Sequence, residues 1–138
     1  VMPDLRLIIA SDAYELRRDG TPLARLERGA AALLPDAGMR LREIDIEVAI
    51  ERTEDWIMRF SKAFDGLQLE VRDTTGRLRR HLGPQASFTT DAVERAFSRV
   101  HDAVVRDQVS DREAVADVIL LRELAHHGNL SGIVVQDA

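Results

Sequence analysis

Residues 44–64, IDIEVAIERTEDWIMRFSKAF, carry the reading of the fold. Ile46, Ile50, Thr53, Ile57, Phe60 and Phe64 recur at steps of three and four, which places them on one side of an α-helix for about five turns. Trp56, the only tryptophan, borders that seam with Ala49 and Ala63, so the apolar face is broad. A rival reading starts from Ile44, Ile46, Val48 and Ile50, which alternate with Asp45, Glu47 and Ala49 as a half-buried strand would. The alternation stops at Ile50 while the helical seam runs on, and the helix is preferred. Gly66 stands where a C-cap glycine belongs.

Upstream, Leu5–Ile9 (LRLII) is a short β-branched apolar run and predicts a strand. Residues 14–18 and 23–26 flank Asp19-Gly20, a dipeptide suited to a tight hairpin turn. A helix starting at Pro22 with Thr21 as its N-cap is the competing reading. Residues 30–34 predict a helical turn that Pro35 ends. Downstream, residues 67–72 and 77–82 read as a second hairpin with Thr74 and Thr75 at its tip. Glu70 would then face Arg79 across the strands. Residues 85–89 follow as a linker.

The last third predicts two helices. Residues 91–107 place Val93, Phe97, Val100 and Val104 on one stripe, and Ser110-Asp111-Arg112-Glu113 has the form of a capping box. Val115, Val118, Ile119, Leu121 and Leu124 give the second helix a wide apolar surface, with Gly128 as its stop. The short connection predicts an antiparallel helical hairpin. Residues 133–136 either add an edge strand or trail off.

The 138 residues suit one globular domain, β-rich over 1–83 around a central helix at 44–64 and helical over 90–127. Strands followed by helices give the fold class, α+β. A composition 45% hydrophobic and 31% charged excludes a disordered regulator. A net charge of −5 and 4% aromatic residues speak against nucleic acid as a partner. No apolar run is long enough to span a membrane, and no leader is visible. Val1 before Met2 reads as foreign to the native chain. The absence of Cys excludes thiol chemistry and fits the cytoplasm, the expected compartment. Lys62 is the only lysine beside many arginines, a usage typical of GC-rich bacterial genomes.

Two groups of residues are candidate sites. Arg77, Arg79 and His81 share one face if 77–82 is a strand, with Arg72 nearby, and forked guanidinium donors there suit a phosphate or carboxylate. Glu47, Glu51, Glu54 and Asp55 line one side of the long helix, and stacked carboxylates of this kind can hold Mg²⁺. A facing helix with matching acidic pairs is not evident; Glu113, Asp117 and Glu123 have the spacing of an ordinary solvated face, so a solvated face is preferred for the acidic stretch. His126 and His127 point about 100° apart on a helix and make poor co-ligands for one metal. His101 beside Asp102 is read as a boundary histidine rather than an acid–base couple. No nucleophile elbow and no dinucleotide or phosphate-loop motif occurs, and no cofactor is implied.

The surplus of apolar helix surface predicts a homodimer that works by binding another protein, without catalysis. The alternative is a small anion- or metabolite-binding enzyme or sensor using the Arg/His cluster or the carboxylate-lined helix.

Overall fold

A computed structural model describes residues 4–35, 38–109 and 111–137. It is an α+β structure: a six-stranded sheet with its long helices gathered together. Three strands come first, β1 (Leu5–Ile9), β2 (Ala13–Arg18) and β3 (Thr21–Glu27). A short helix α1 (Ala30–Leu33) and the long α2 (Glu43–Ile57) lead into β4 (Gln68–Asp73). Then come a one-turn α3 (Arg79–Leu82), a two-residue β5 (Ser87–Phe88), α4 (Thr90–Val105), α5 (Arg112–Gly128) and β6 (Gly132–Asp137). The strand order is β3-β2-β1-β4-β6-β5. β1 pairs antiparallel with β2 and parallel with β4, and β4 pairs parallel with β6.

The β2–β3 hairpin forms as its turn dipeptide predicts. Asp19 and Gly20 both take positive φ, 52° and 79°, and Arg18 faces Thr21 across a two-residue turn of the primed kind, whose twist matches that of the strands. Along β1, Leu5, Leu7 and Ile9 are buried, as are Leu69 and Val71 of β4 and Ile133 and Val135 of β6. The other face of the sheet carries ion pairs, among them Arg6 with Glu70 at 3.3 Å and Arg17 with Glu15 at 2.8 Å.

The second hairpin does not form. Both edges of β4 are occupied by β1 and β6, so residues 77–82 have no strand edge to pair with. Asp73 turns the chain instead. Its Oδ1 accepts from the Thr75 N–H at 2.9 Å and its Oδ2 from the Leu78 N–H at 2.9 Å, which bends the backbone toward α3. Glu70 consequently pairs with Arg6 and Arg72, not with Arg79. Two further expectations change. Residues 133–136 belong to β6, an inner strand, and the linker at 85–89 contains β5.

The long helix is shorter than its seam. α2 ends at Ile57, and residues 61–64 form a 3₁₀ turn. The apolar row nonetheless continues in space: Trp56 meets Phe60 edge-on at 5.5 Å, and Phe60 meets Phe64 at 5.7 Å. Gly66, at φ 75°, closes that turn rather than capping α2. Phe64 is fully buried against Gly128, where an added Cβ would lie 3.0 Å from the ring carbon Cδ2. Gly128 therefore stays helical, and Asn129, at φ 49°, takes the left-handed cap position expected of it.

The seam of α2 faces inward, with Ile46, Thr53 and Ile57 buried. The helix the core is built on is α5, whose residues 114–121 are all buried. Such all-round burial is what a helix shows when other elements cover every side. α5 packs against α2, α4 and α1. Its first turn is capped by Asp111, which accepts from the Ala114 N–H at 3.1 Å; Ser110 of the expected capping box lies outside the described residues. Thr89 caps α4 in the same way through the Ala92 N–H. Among the described residues no helix is long and apolar enough to cross a membrane.

Candidate functional site

The parallel strands β1, β4 and β6 end level with one another: Ile9 pairs with Asp73, and Asp73 with Asp137. Their carboxyl ends thus bring two loops side by side, residues 10–12 after β1 and residues 74–77 after β4. In open sheets with parallel strands, ligands sit at this end. Thr74 fastens the two loops together, donating both its N–H (2.9 Å) and its hydroxyl (2.8 Å) to the Ile9 carbonyl. Ser11, Asp12, Thr74 and Gly76 are exposed there. Gly76 takes φ 74° with nothing within 4 Å of a Cβ position, so the backbone at the tip is open, while Thr74 and Thr75 spend their N–H and hydroxyl groups on Ile9 and Asp73.

Beneath the loop lies a buried charge network. Arg77 grips Asp117 of α5 with two donors, Nε to Oδ2 at 2.6 Å and Nη2 to Oδ1 at 3.1 Å, and reaches Glu113 with Nη1 at 2.7 Å. Tyr14 donates its hydroxyl to Asp117 Oδ1 at 2.5 Å. Glu113 and Asp117 stand four residues apart on one face of α5, which is why one guanidinium reaches both. Burial, reinforced by the Asp117 charge, raises the Tyr14 phenol well above its ordinary value, so it remains a neutral donor. Burial disfavours the Arg77 cation, but its bonds to Asp117 outweigh that and raise its pKa. Arg77 thus anchors the loop from below.

The four residues expected to form an anion cradle are not on one strand face. Arg72 lies in β4 and donates to Glu70, Arg77 is buried as described, and Arg79 and His81 belong to the one-turn α3. Arg79 donates to the carbonyls of Pro84 and Val135.

The acidic stretch of α2 also divides. Glu47, Glu51 and Asp55 face solvent, while Glu54 turns toward α5. There it meets Glu123 and His127, which are four residues apart on that helix. Among the described residues this is the one trio of His and carboxylate groups close enough to share a cation, its donor atoms all within 4.8 Å of one another. His101 turns to Glu43 of α2 at 3.2 Å, and Asp102 pairs with Arg106, so these neighbours form no couple.

Sequence reasoning missed the strand-end loops and the pairing of Glu54 with α5. A signal for the first is visible: three apolar runs, each followed after one residue by Asp or Ser-Asp, at Ser11-Asp12, Asp73 and Asp137. The second had half a signal in the four-residue spacing of Glu123 and His127.

A sheet in which an antiparallel hairpin precedes parallel strands joined through helices defines the α+β class of this fold. Solved structures give it particular company. An exopolyphosphatase from Cytophaga hutchinsonii superposes with a TM-score of 0.66 at 15% identity, covering 98% of this chain and 53% of that one. Two structures of the Aquifex aeolicus Ppx/GppA enzyme superpose at 0.63 and 0.65, with 11% and 10% identity. They cover 98% and 99% of this chain and 52% and 54% of theirs. At these identities the likeness is one of fold, and the chain spans about half the length of each. No protein-family profile matches the sequence, and no curated protein does.

Proposed function

We propose that this chain binds a linear phosphoanhydride, such as a short inorganic polyphosphate, at the carboxyl ends of β1, β4 and β6. This is the anion-binding alternative raised from the sequence, moved from the arginine cluster to the strand ends. The observation that carries it is the level register of Ile9, Asp73 and Asp137, which sets the Ser11-Asp12 and Thr74-Thr75-Gly76 loops beside one another. The exposed Ser11 hydroxyl and the open backbone at Gly76 suit phosphate oxygens. The fold shared with an exopolyphosphatase supports the same class of ligand. Asp12 is exposed there, so the anion is expected to arrive with a divalent cation shielding it from that carboxylate.

The test is calorimetric titration of tripolyphosphate with and without Mg²⁺, on the wild type and on Asp12→Asn. Saturable binding that requires Mg²⁺ and is weakened at least tenfold by Asp12→Asn is expected, since loss of even an outer-shell partner costs about 10–100-fold. No binding, or binding indifferent to the substitution, would overturn the reading.

A further inference from the structure

We propose that Glu54, Glu123 and His127 form a site for a divalent transition metal, best suited to Zn²⁺, at the contact between α2 and α5. The ligand set is one imidazole and two carboxylates, which suits Zn²⁺ and leaves a fourth position for water. Glu123 and His127 stand one helical turn apart on α5, and Glu54 arrives from the facing helix, so the three donors come from two directions around a common point.

The distances fit a metal better than they fit hydrogen bonds. His127 Nε2 lies 3.5 Å from Glu54 Oε1 and 3.4 Å from Glu123 Oε1. A charge-assisted N–H···O bond is about 2.7–2.9 Å long. Two ligands at about 2.0–2.1 Å from a tetrahedral Zn²⁺ stand about 3.3–3.4 Å apart. The two His127 separations lie near those of ligand edges, and all three donors lie within 4.8 Å of one another.

The surroundings are also those of a built site. The Glu123 side chain is only 2% exposed and so sits fixed on the inner side of the trio. Arg122 Nη1 holds its Oε2 at 3.0 Å, which fixes the carboxylate and leaves Oε1 turned to His127 and Glu54. Arg122 is itself held by Glu94 at 3.0 Å and lies 4.1 Å over the Phe97 ring. The ligand oxygens of Glu54 and Glu123 lie within 4.8 Å of each other. Two carboxylates this close need a proton or a cation between them. Glu54 and His127, each 38% exposed, leave the outer side open for metal entry. His126 plays no part, pointing about 100° away.

The site is separate from the strand ends and stands or falls without them. Protein stripped with EDTA is titrated calorimetrically with Zn²⁺, and Co²⁺ is added in parallel to read the visible bands of a four-coordinate ion. One Zn²⁺ per chain is expected, with binding weakened more than about 100-fold in His127→Ala and in Glu54→Gln, since loss of an outer-shell partner alone costs about 10–100-fold. His126→Ala should bind as the wild type does. The substituted side chains are partly exposed, and an unchanged circular dichroism spectrum certifies their folding. No saturable Zn²⁺ binding, a preference for Mg²⁺, binding undiminished in either Glu54→Gln or His127→Ala, or loss of binding in His126→Ala would each overturn the proposal.

Discussion

Arg77 and Asp117, forty residues apart in sequence, meet as a two-donor fork in which the carboxylate is wholly buried. One partner sits in the loop that follows β4 and the other midway along the central helix. The pair therefore ties the strand-end loop to the core.

Arg77→Ala should lower stability by about 3–5 kcal/mol, because it leaves the Asp117 charge buried without a cation, and Asp117→Asn should cost less, because Arg77 keeps Glu113. The double variant Arg77→Met/Asp117→Leu should lose less than the sum. Urea denaturation of the four proteins checks this, and additive losses would mean that the two groups act independently.

Gly128→Ala should destabilise the protein by about 1–3 kcal/mol, the usual cost of overpacking a core. Helix propensity alone predicts the reverse, a gain of roughly 0.8–1 kcal/mol. The new methyl would stand 3.0 Å from Phe64 Cδ2 and 3.1 Å from its Cβ, and the Cβ is fixed to the backbone. Thermal unfolding of Gly128→Ala with and without Phe64→Leu measures both, and the second change should restore part of the loss.

The buried Glu123 carboxyl sets a pH dependence. Its folded pKa lies above the ordinary 4.5, so between that value and the raised one the folded state holds more protons than the unfolded. Its contribution to stability is greatest in acid and falls as the pH rises through that window. In metal-free protein, Glu123→Gln should gain on the wild type as the pH climbs from about 4.5 toward neutrality. Parallel stability profiles would show that burial does not hold this carboxyl up.

Where local chemistry fixes local structure, the sequence was legible. Asp19-Gly20 specifies its own turn, and the stripes of α2, α4 and α5 follow from spacing alone. Residues 67–82 were not legible for a physical reason. Two apolar runs around Thr-Thr-Gly suit either a hairpin or a strand followed by a turn into helix. The choice depends on which strands occupy the edges of β4, and those are 64 residues away in sequence. Phe60 and Phe64 keep their seam in space although α2 has ended, because burial against Gly128 outweighs continuing the helix. The strand-end loops and the Glu54–His127 contact arise from tertiary packing, so residue types alone pointed at the right helix and the wrong neighbours.

The inner strands carry a kinetic consequence. Leu5, Leu69 and Ile133 lie side by side, so each of the two parallel pairings closes a loop of 64 residues. Such distant contacts bring their reward only after the entropy of closure has been met, which places a sheet of this kind among slow folders. The strand that completes it, β6, is inserted between β4 and β5 and follows both in chain order. Until it arrives, β4 has one naked edge and β5 has no neighbour. During synthesis the hairpin and the helices can form early, but the sheet stays an open template for misplaced strands until β6 closes it.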